Sequence, residues 1–149
     1  MTPPTAAPAK VDPKVLLISF LAAPILMGIM FLNPSWEPLH SLTQSPGWIP
    51  VGRVIGSAVV LFMLWSSWRY EHHVKPRTAD MLRQKGMNPE QIGFLITTAE
   101  CTSGTVVGMI LYMLGASITE FWCFASISIV AILFWAWHYR TFLLQTPTP

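Results

Sequence analysis

The sequence has few charged residues and few cysteines. Asp, Glu, Lys and Arg make up 11% of the 149 residues, against about 25% in an average soluble domain. Hydrophobic residues make up 52%, so a soluble fold would lack polar surface. The net charge of +2 is too small to indicate a nucleic-acid partner. The composition therefore predicts a protein embedded in the lipid bilayer.

The two cysteines, Cys101 and Cys123, fall inside different apolar segments of the sequence. Their expected depths in the membrane differ by roughly 10 Å, beyond the separation of about 7 Å that a disulfide tolerates between Cα atoms. This placement excludes a disulfide framework and favours a packing role for both side chains.

Four apolar segments approach the roughly 20 residues that a helix needs to cross a hydrocarbon core of about 30 Å. They are residues 15–32, 51–68, 92–114 and 121–139. We therefore predict an all-α fold, a four-span transmembrane helical bundle that forms one membrane domain over 15–139. A Pro/Ala-rich cytoplasmic leader (1–14) precedes it, and a cytoplasmic tail (140–149) follows it. The short link at 115–120 predicts that the last two spans form an antiparallel hairpin.

The basic residues are distributed unevenly between the connecting segments. Of the nine Lys and Arg residues, all but Arg53 fall in the leader, in the segment between the second and third spans, or in the tail. Since positively charged segments are retained on the cytoplasmic side during insertion, we expect the N and C termini to be cytoplasmic. The pattern does not distinguish a bacterial inner membrane from a eukaryotic endomembrane.

The basic segment between the second and third spans contains capping signals. Thr78 is expected to cap a short amphipathic helix that ends at Gly86 and lies along the membrane surface. Asn88 and Pro89 then read as the N-cap and first residue of the third span.

Glu100 is the main candidate for chemistry, because it lies within the third apolar segment. A carboxylate at such a depth costs about 2.5 to 3.5 kcal/mol on insertion scales, so it should be neutral, paired or facing a wet cavity. Gly104 and Gly108 follow it at intervals of four, which predicts that all three share one helix face directed at another helix. Glu100 is therefore a candidate catalytic residue, proton relay, cation ligand or substrate anchor. The alternative is a protonated side chain that is hydrogen-bonded across a helix interface.

Three histidines are expected at the cytoplasmic face, namely His72, His73 and His138. Together with Glu71 and Glu100 they are candidate ligands for a metal ion or a b-type haem. The spacing is generic, and histidines beside tryptophan and tyrosine also serve as anchors at the headgroup level. The identity of any cofactor or metal stays unknown from the sequence.

Glycines at intervals of four permit close helix packing in two of the spans. These are Gly52 and Gly56 in the second span and Gly104 and Gly108 in the third. Arg53, near the outer end of its span, can extend to the interface, bind an anionic headgroup, or pair with Glu37 or Glu120.

Three functions remain open from the sequence. Small size, short loops and small-residue grooves favour a structural or accessory subunit of a larger membrane complex, in contact with other membrane subunits or with copies of itself. A second hypothesis is a membrane-embedded enzyme that acts on a lipophilic substrate at the cytoplasmic leaflet. A third is a proton or cation transport element that uses Glu100.

Overall fold

The computed structural model describes residues 12–33 and 47–144. In chain order its elements are α1 (Pro13–Phe31), α2 (Ile49–Arg69), a π-helical turn (Tyr70–Val74), α3 (Lys75–Gln84), α4 (Pro89–Cys101), α5 (Ser103–Met113), α6 (Ile118–His138) and α7 (Arg140–Leu144). No strand occurs in this described part of the chain, which confirms the all-α prediction. Most of the predicted leader, Glu37 and the end of the predicted tail lie outside the described residues.

Four helical stretches are long and apolar enough to cross a membrane, as the sequence predicts. They are Lys14–Phe31, Ile49–Gln84, Pro89–Met113 and Ile118–His138. A helix satisfies most of its polar backbone groups with its own hydrogen bonds, which is the requirement that a hydrocarbon environment imposes on a spanning segment.

Helix α1 begins at Asp12, whose side chain accepts a hydrogen bond of 2.8 Å from the backbone N–H of Lys14. Pro13 occupies the first helical position, where no backbone N–H is needed. Pro24 lies inside the helix and is buried. A Cβ atom at Gly28 would overlap the ring of Trp122, so the absence of a side chain there lets α1 approach α6 closely.

The expected surface helix does not begin as a separate element. Thr78 lies within α3, and its hydroxyl donates to the carbonyl of Val74 at 3.0 Å instead of capping a helix start. The π-helical turn joins α2 to α3 without a break, and the N–H of Lys75 donates to the carbonyl of Tyr70, five residues back. This wider turn accommodates Pro76, whose ring would collide with the preceding turn of a regular α-helix. The predicted end at Gly86 is confirmed, since Gly86 has a φ of 72° directly after the last turn.

The third apolar segment forms two helices that meet at Thr102. Asn88 caps α4 by accepting a hydrogen bond of 2.9 Å from the N–H of Glu90, which confirms the predicted start. At Thr102 the backbone N–H is shared between the carbonyls of Thr98 and Ala99, each at 3.2 Å. The Thr102 hydroxyl also donates to the carbonyl of Ala99 at 2.6 Å. Such back-bonding can bend a helix, and here it coincides with the junction between α4 and α5.

Helices α5 and α6 form the expected hairpin. Gly115, with a φ of 101°, supplies the left-handed turn, and Ser117 caps α6 by accepting from the N–H of Glu120 at 3.3 Å. An added Cβ atom at Gly104 would lie 2.7 Å from the carbonyl oxygen of Phe124 on α6. The two helices therefore pack with almost no space between their backbones.

Helix α6 lies between α1 on one side and α4 and α5 on the other, and α2 packs against α4 and α5. The predicted tail is partly helical, because its first residues form α7. Leu143 of α7 is buried with Phe94, Ile132 and Trp135 in one core cluster. The helices that flank the molecule are thus α1 and α2, and the candidate site lies on the α2 side.

Candidate functional site

Glu100 lies on α4 and contacts α2. Its two carboxylate oxygens accept hydrogen bonds from Ser66 Oγ at 2.9 Å and from Ser67 Oγ at 2.7 Å. Ser67 is fully buried, whereas Glu100 and Ser66 are half-buried. The carboxylate is therefore held by two hydroxyl groups of a neighbouring helix.

Glu100 also lines a groove between α2 and the α4–α5 segment. The groove has a volume of about 670 Å³. Its lining is almost entirely apolar, with Glu100, Thr102 and Ser103 as the polar contributors. A largely apolar cleft with a few converging polar groups is the usual form of a site for a small lipophilic molecule.

Gly104 and Gly108 lie on a different surface of the third span from Glu100. Gly104 and Gly108 pack against α6, where added Cβ atoms would lie 2.6 Å from Ser128 Oγ and 3.0 Å from the Phe121 carbonyl oxygen. Glu100 instead faces α2, so the expectation that all three residues share one face is wrong. Successive residues advance by about 100° around a helix. Gly104 and Gly108, four and eight residues after Glu100, are therefore rotated from it by about 40° and 80° around the helix axis. The break at Thr102 lies between Glu100 and both glycines.

Gly52 and Gly56 mark the contact between α2 and α5. A Cβ atom at Gly52 would lie 2.8 Å from Leu111 Cδ2, and one at Gly56 would lie 2.5 Å from Val107 Cγ1. Both glycines also line the groove, so side chains added there would change its shape.

A second polar cluster, which we call the Glu71 cluster, joins the π-helical turn to α4 and α6. Lys75 Nζ lies 2.8 Å from Glu71 Oε1 and 2.7 Å from Glu90 Oε2. His138 Nε2 lies 3.1 Å from Glu71 Oε1, and the Tyr139 hydroxyl donates to Glu71 Oε2. Glu71 and Lys75 are only 10% and 12% exposed. The cluster thus links the π-helical turn and α3 to α4 and α6 through mutually paired groups.

Tyr139 is the buried phenol of this cluster. Burial, followed by the hydrogen bond to the Glu71 carboxylate, raises the pKa of Tyr139 well above its ordinary value. It therefore stays protonated and acts as a hydrogen-bond donor. The sequence did not indicate Tyr139 and Lys75 as partners of Glu71. The one available signal for Lys75 was its position four residues after Glu71 on a helix, a spacing that places opposite charges together.

The three candidate histidines are not brought together. His138 joins the Glu71 cluster, whereas His72 stacks on Trp68 with ring centroids 4.8 Å apart. His73 lies edge-on to the same tryptophan at 5.7 Å. Among residues 12–33 and 47–144, no three His, Cys, Asp or Glu side chains form a group that could hold a metal ion. Glu100 also stands apart from all three histidines, since its hydrogen-bond partners are Ser66 and Ser67.

Arg53 pairs with Glu120 across α2 and α6 through two hydrogen bonds to its carboxylate. This is one of the alternatives that the sequence left open. The Arg53 side chain is 53% exposed, so the pair lies at the surface. Cys101 is buried and Cys123 is exposed, and both are free thiols.

Comparison of the chain with protein-family models, with curated proteins and with solved structures gives no match. The two polar arrangements around Glu100 and Glu71 are therefore interpreted from their own geometry.

Proposed function

We propose that this protein is a structural or accessory subunit of a larger membrane complex, with both termini in the cytoplasm. The Glu71 cluster supports a structural role for that end of the molecule. Its carboxylate, ammonium and phenol groups are bonded to one another, and they connect α4 and α6 to the end of α2. Groups paired in this way stabilise one arrangement of helices.

The outward face of α2 is the observation that carries the proposal. The stripe Gly56, Val60 and Ser67 is buried against the bundle. On the opposite side, Val54 is 72% exposed, Leu61 68% and Trp65 50%. Ala58 lies in the middle of this outer stripe, where a small residue permits a second helix to approach closely. We assign this face, defined as Val54, Ala58, Leu61 and Trp65, to a helix of a partner subunit.

Native mass spectrometry of the protein released from its own membranes in mild detergent tests the proposal. We expect a complex of this chain with a different polypeptide in a fixed ratio. Ala58→Trp should dissociate it, because the bulky ring separates the two helices. Ala23→Trp is the matched control, since Ala23 is an exposed alanine of α1 and its replacement should leave the complex intact. A monomer, or an assembly of this chain alone, would contradict the proposal.

A membrane-embedded enzyme is the second candidate, and the position of Glu100 in the groove wall favours it. Incubation of the purified protein with membrane lipids, followed by mass spectrometry, should then show a product that Glu100→Gln does not form.

A transport role would use the same carboxylate, and proteoliposomes of the wild type would then carry a proton or cation flux that Glu100→Gln lacks.

A further inference from the structure

The groove between α2 and the α4–α5 segment is polar at one end and apolar along the rest of its length. Glu100, Thr102 and Ser103 lie at the polar end. The apolar part continues along α5 to Leu114, with Ile55 and Val59 on the facing helix. The distance from Glu100 to Leu114 along the helices is about 21 Å at 1.5 Å per residue. A single extended alkyl chain fits such a length, with its head beside Glu100.

The charge of the polar end selects the chemistry of that head. Both oxygens of Glu100 accept hydrogen bonds from serine hydroxyls. Within the described ranges, no Lys, Arg or His nitrogen lies within 4.0 Å of this carboxylate. A carboxylate in a membrane-spanning helix is stabilised by an opposite charge, and the protein supplies hydroxyl groups but no cation at this point.

Ser103 provides a second polar group at the same end. Its Oγ atom is buried and makes no hydrogen bond to any described residue. Thr102 differs from it, because its hydroxyl donates to the carbonyl of Ala99. A buried hydroxyl without a partner costs free energy, but this atom is covered by the protein, so Glu100 is the group that selects the head of a bound molecule.

We propose that the groove binds a single-chain amphiphile with a primary ammonium head. The ammonium group has three N–H donors, and it binds the Glu100 carboxylate by charge and by a hydrogen bond. The alkyl chain lies along the apolar wall formed by α2 and α5. This site does not depend on the subunit proposal, because the partner face of α2 is the stripe centred on Ala58 and does not include the polar end of the groove.

Binding of radiolabelled dodecylammonium to the full-length protein in phosphatidylcholine nanodiscs tests the site. We expect saturable binding of one dodecylammonium molecule per polypeptide chain. Dodecanol has the same alkyl chain but a neutral head, so it should compete about ten- to a hundredfold less well. This is the range expected for loss of a charge-assisted hydrogen bond. Glu100→Gln should weaken dodecylammonium binding by a similar factor. Asp80→Asn is the control, since it also replaces a carboxylate by its amide, at a residue that is 88% exposed and outside the groove, and it should leave binding unchanged.

Ile55→Trp provides a test that keeps the carboxylate. Ile55 lines the groove and is 58% exposed, so the larger ring can occupy the cleft without entering the core, and it should abolish binding. Equal affinity for dodecanol and dodecylammonium in the wild type would overturn the proposal, whether or not any variant folds. Dodecylammonium binding that is non-saturable, or unaffected by Glu100→Gln, would overturn it as well.

Discussion

His138 Nε2 lies 3.1 Å from Glu71 Oε1, across the junction between the π-helical turn and the end of α6. The same carboxylate accepts hydrogen bonds from Lys75 and Tyr139. Because one buried acceptor serves three donors, the arrangement of helices at this end depends on Glu71 more than on any of its partners.

Glu71→Gln should lower the free energy of unfolding by about 2 to 3 kcal/mol, since it leaves buried Lys75 with only the half-exposed Glu90 as a counter-ion. Thermal unfolding in detergent, followed by circular dichroism, measures the change. Asp80→Asn is the control, because Asp80 is 88% exposed and its loss should have little effect. Equal stability of the two variants would show that the cluster does not hold the helices together.

Tyr139→Phe should remove the contribution of the Tyr139 hydroxyl to the free energy of unfolding, and this contribution decreases at alkaline pH. The pKa of Tyr139 is raised in the folded protein, so the folded state retains this proton after the unfolded chain has lost it. Stability is therefore fully present below the ordinary tyrosine pKa of about 10 and falls as the pH rises above it.

Unfolding measured between pH 8 and pH 11 should accordingly show a steeper alkaline loss in the wild type than in Tyr139→Phe. The hydroxyl itself should contribute about 1 to 2 kcal/mol at neutral pH. Parallel pH curves for the two proteins would mean that Tyr139 does not titrate differently on folding.

Gly104→Ala should destabilise the hairpin of α5 and α6 by about 1 to 3 kcal/mol, the usual cost of inserting a methyl group into a closely packed site. The added carbon would lie 2.7 Å from the backbone oxygen of Phe124, which cannot move aside as a flexible side chain can. Gly47→Ala is the control, since nothing lies within 4 Å of a Cβ atom there. Thermal stability should fall in the first variant and stay unchanged in the second.

Cysteine labelling should establish the orientation of the chain. In a Cys123→Ser background, which removes the exposed native thiol, we expect Lys85→Cys to react with a membrane-impermeant maleimide only after permeabilisation. Gly47→Cys should react in intact cells, because it lies at the opposite end of α2. The reverse pattern would place the basic end of the molecule outside.

The four helical stretches could be predicted because hydropathy is a property of each segment alone. The caps at Asn88 and Gly86 could also be predicted, because a helix cap depends only on residues next to it in the sequence. Thr78 misled the prediction for a related reason. Threonine is a usual N-cap residue and so indicates a new helix start, but a π-helical turn keeps the helix continuous up to Thr78.

The surroundings of Glu100 could not be predicted in the same way. Its partners Ser66 and Ser67 lie on another helix, and their contact depends on the rotation of each helix about its own axis. A sequence specifies that rotation only through packing, and here the break at Thr102 separates the face of Glu100 from that of Gly104. The Glu71 cluster combines residues from four elements, and only its i, i+4 pair, Glu71 and Lys75, was visible in one stretch of sequence.

The π-helical turn also determines how far the second spanning helix reaches. Ile49–Gln84 contains 36 residues, or about 54 Å of continuous helix at 1.5 Å per residue. A hydrocarbon core is about 30 Å thick, and helices tilt by about 20° on average. The basic end of this helix therefore extends well into the aqueous phase. Since one backbone joins both parts, a protein that binds Arg77 or Arg83 outside the membrane would be mechanically connected to Ser66 and Ser67 beside the groove.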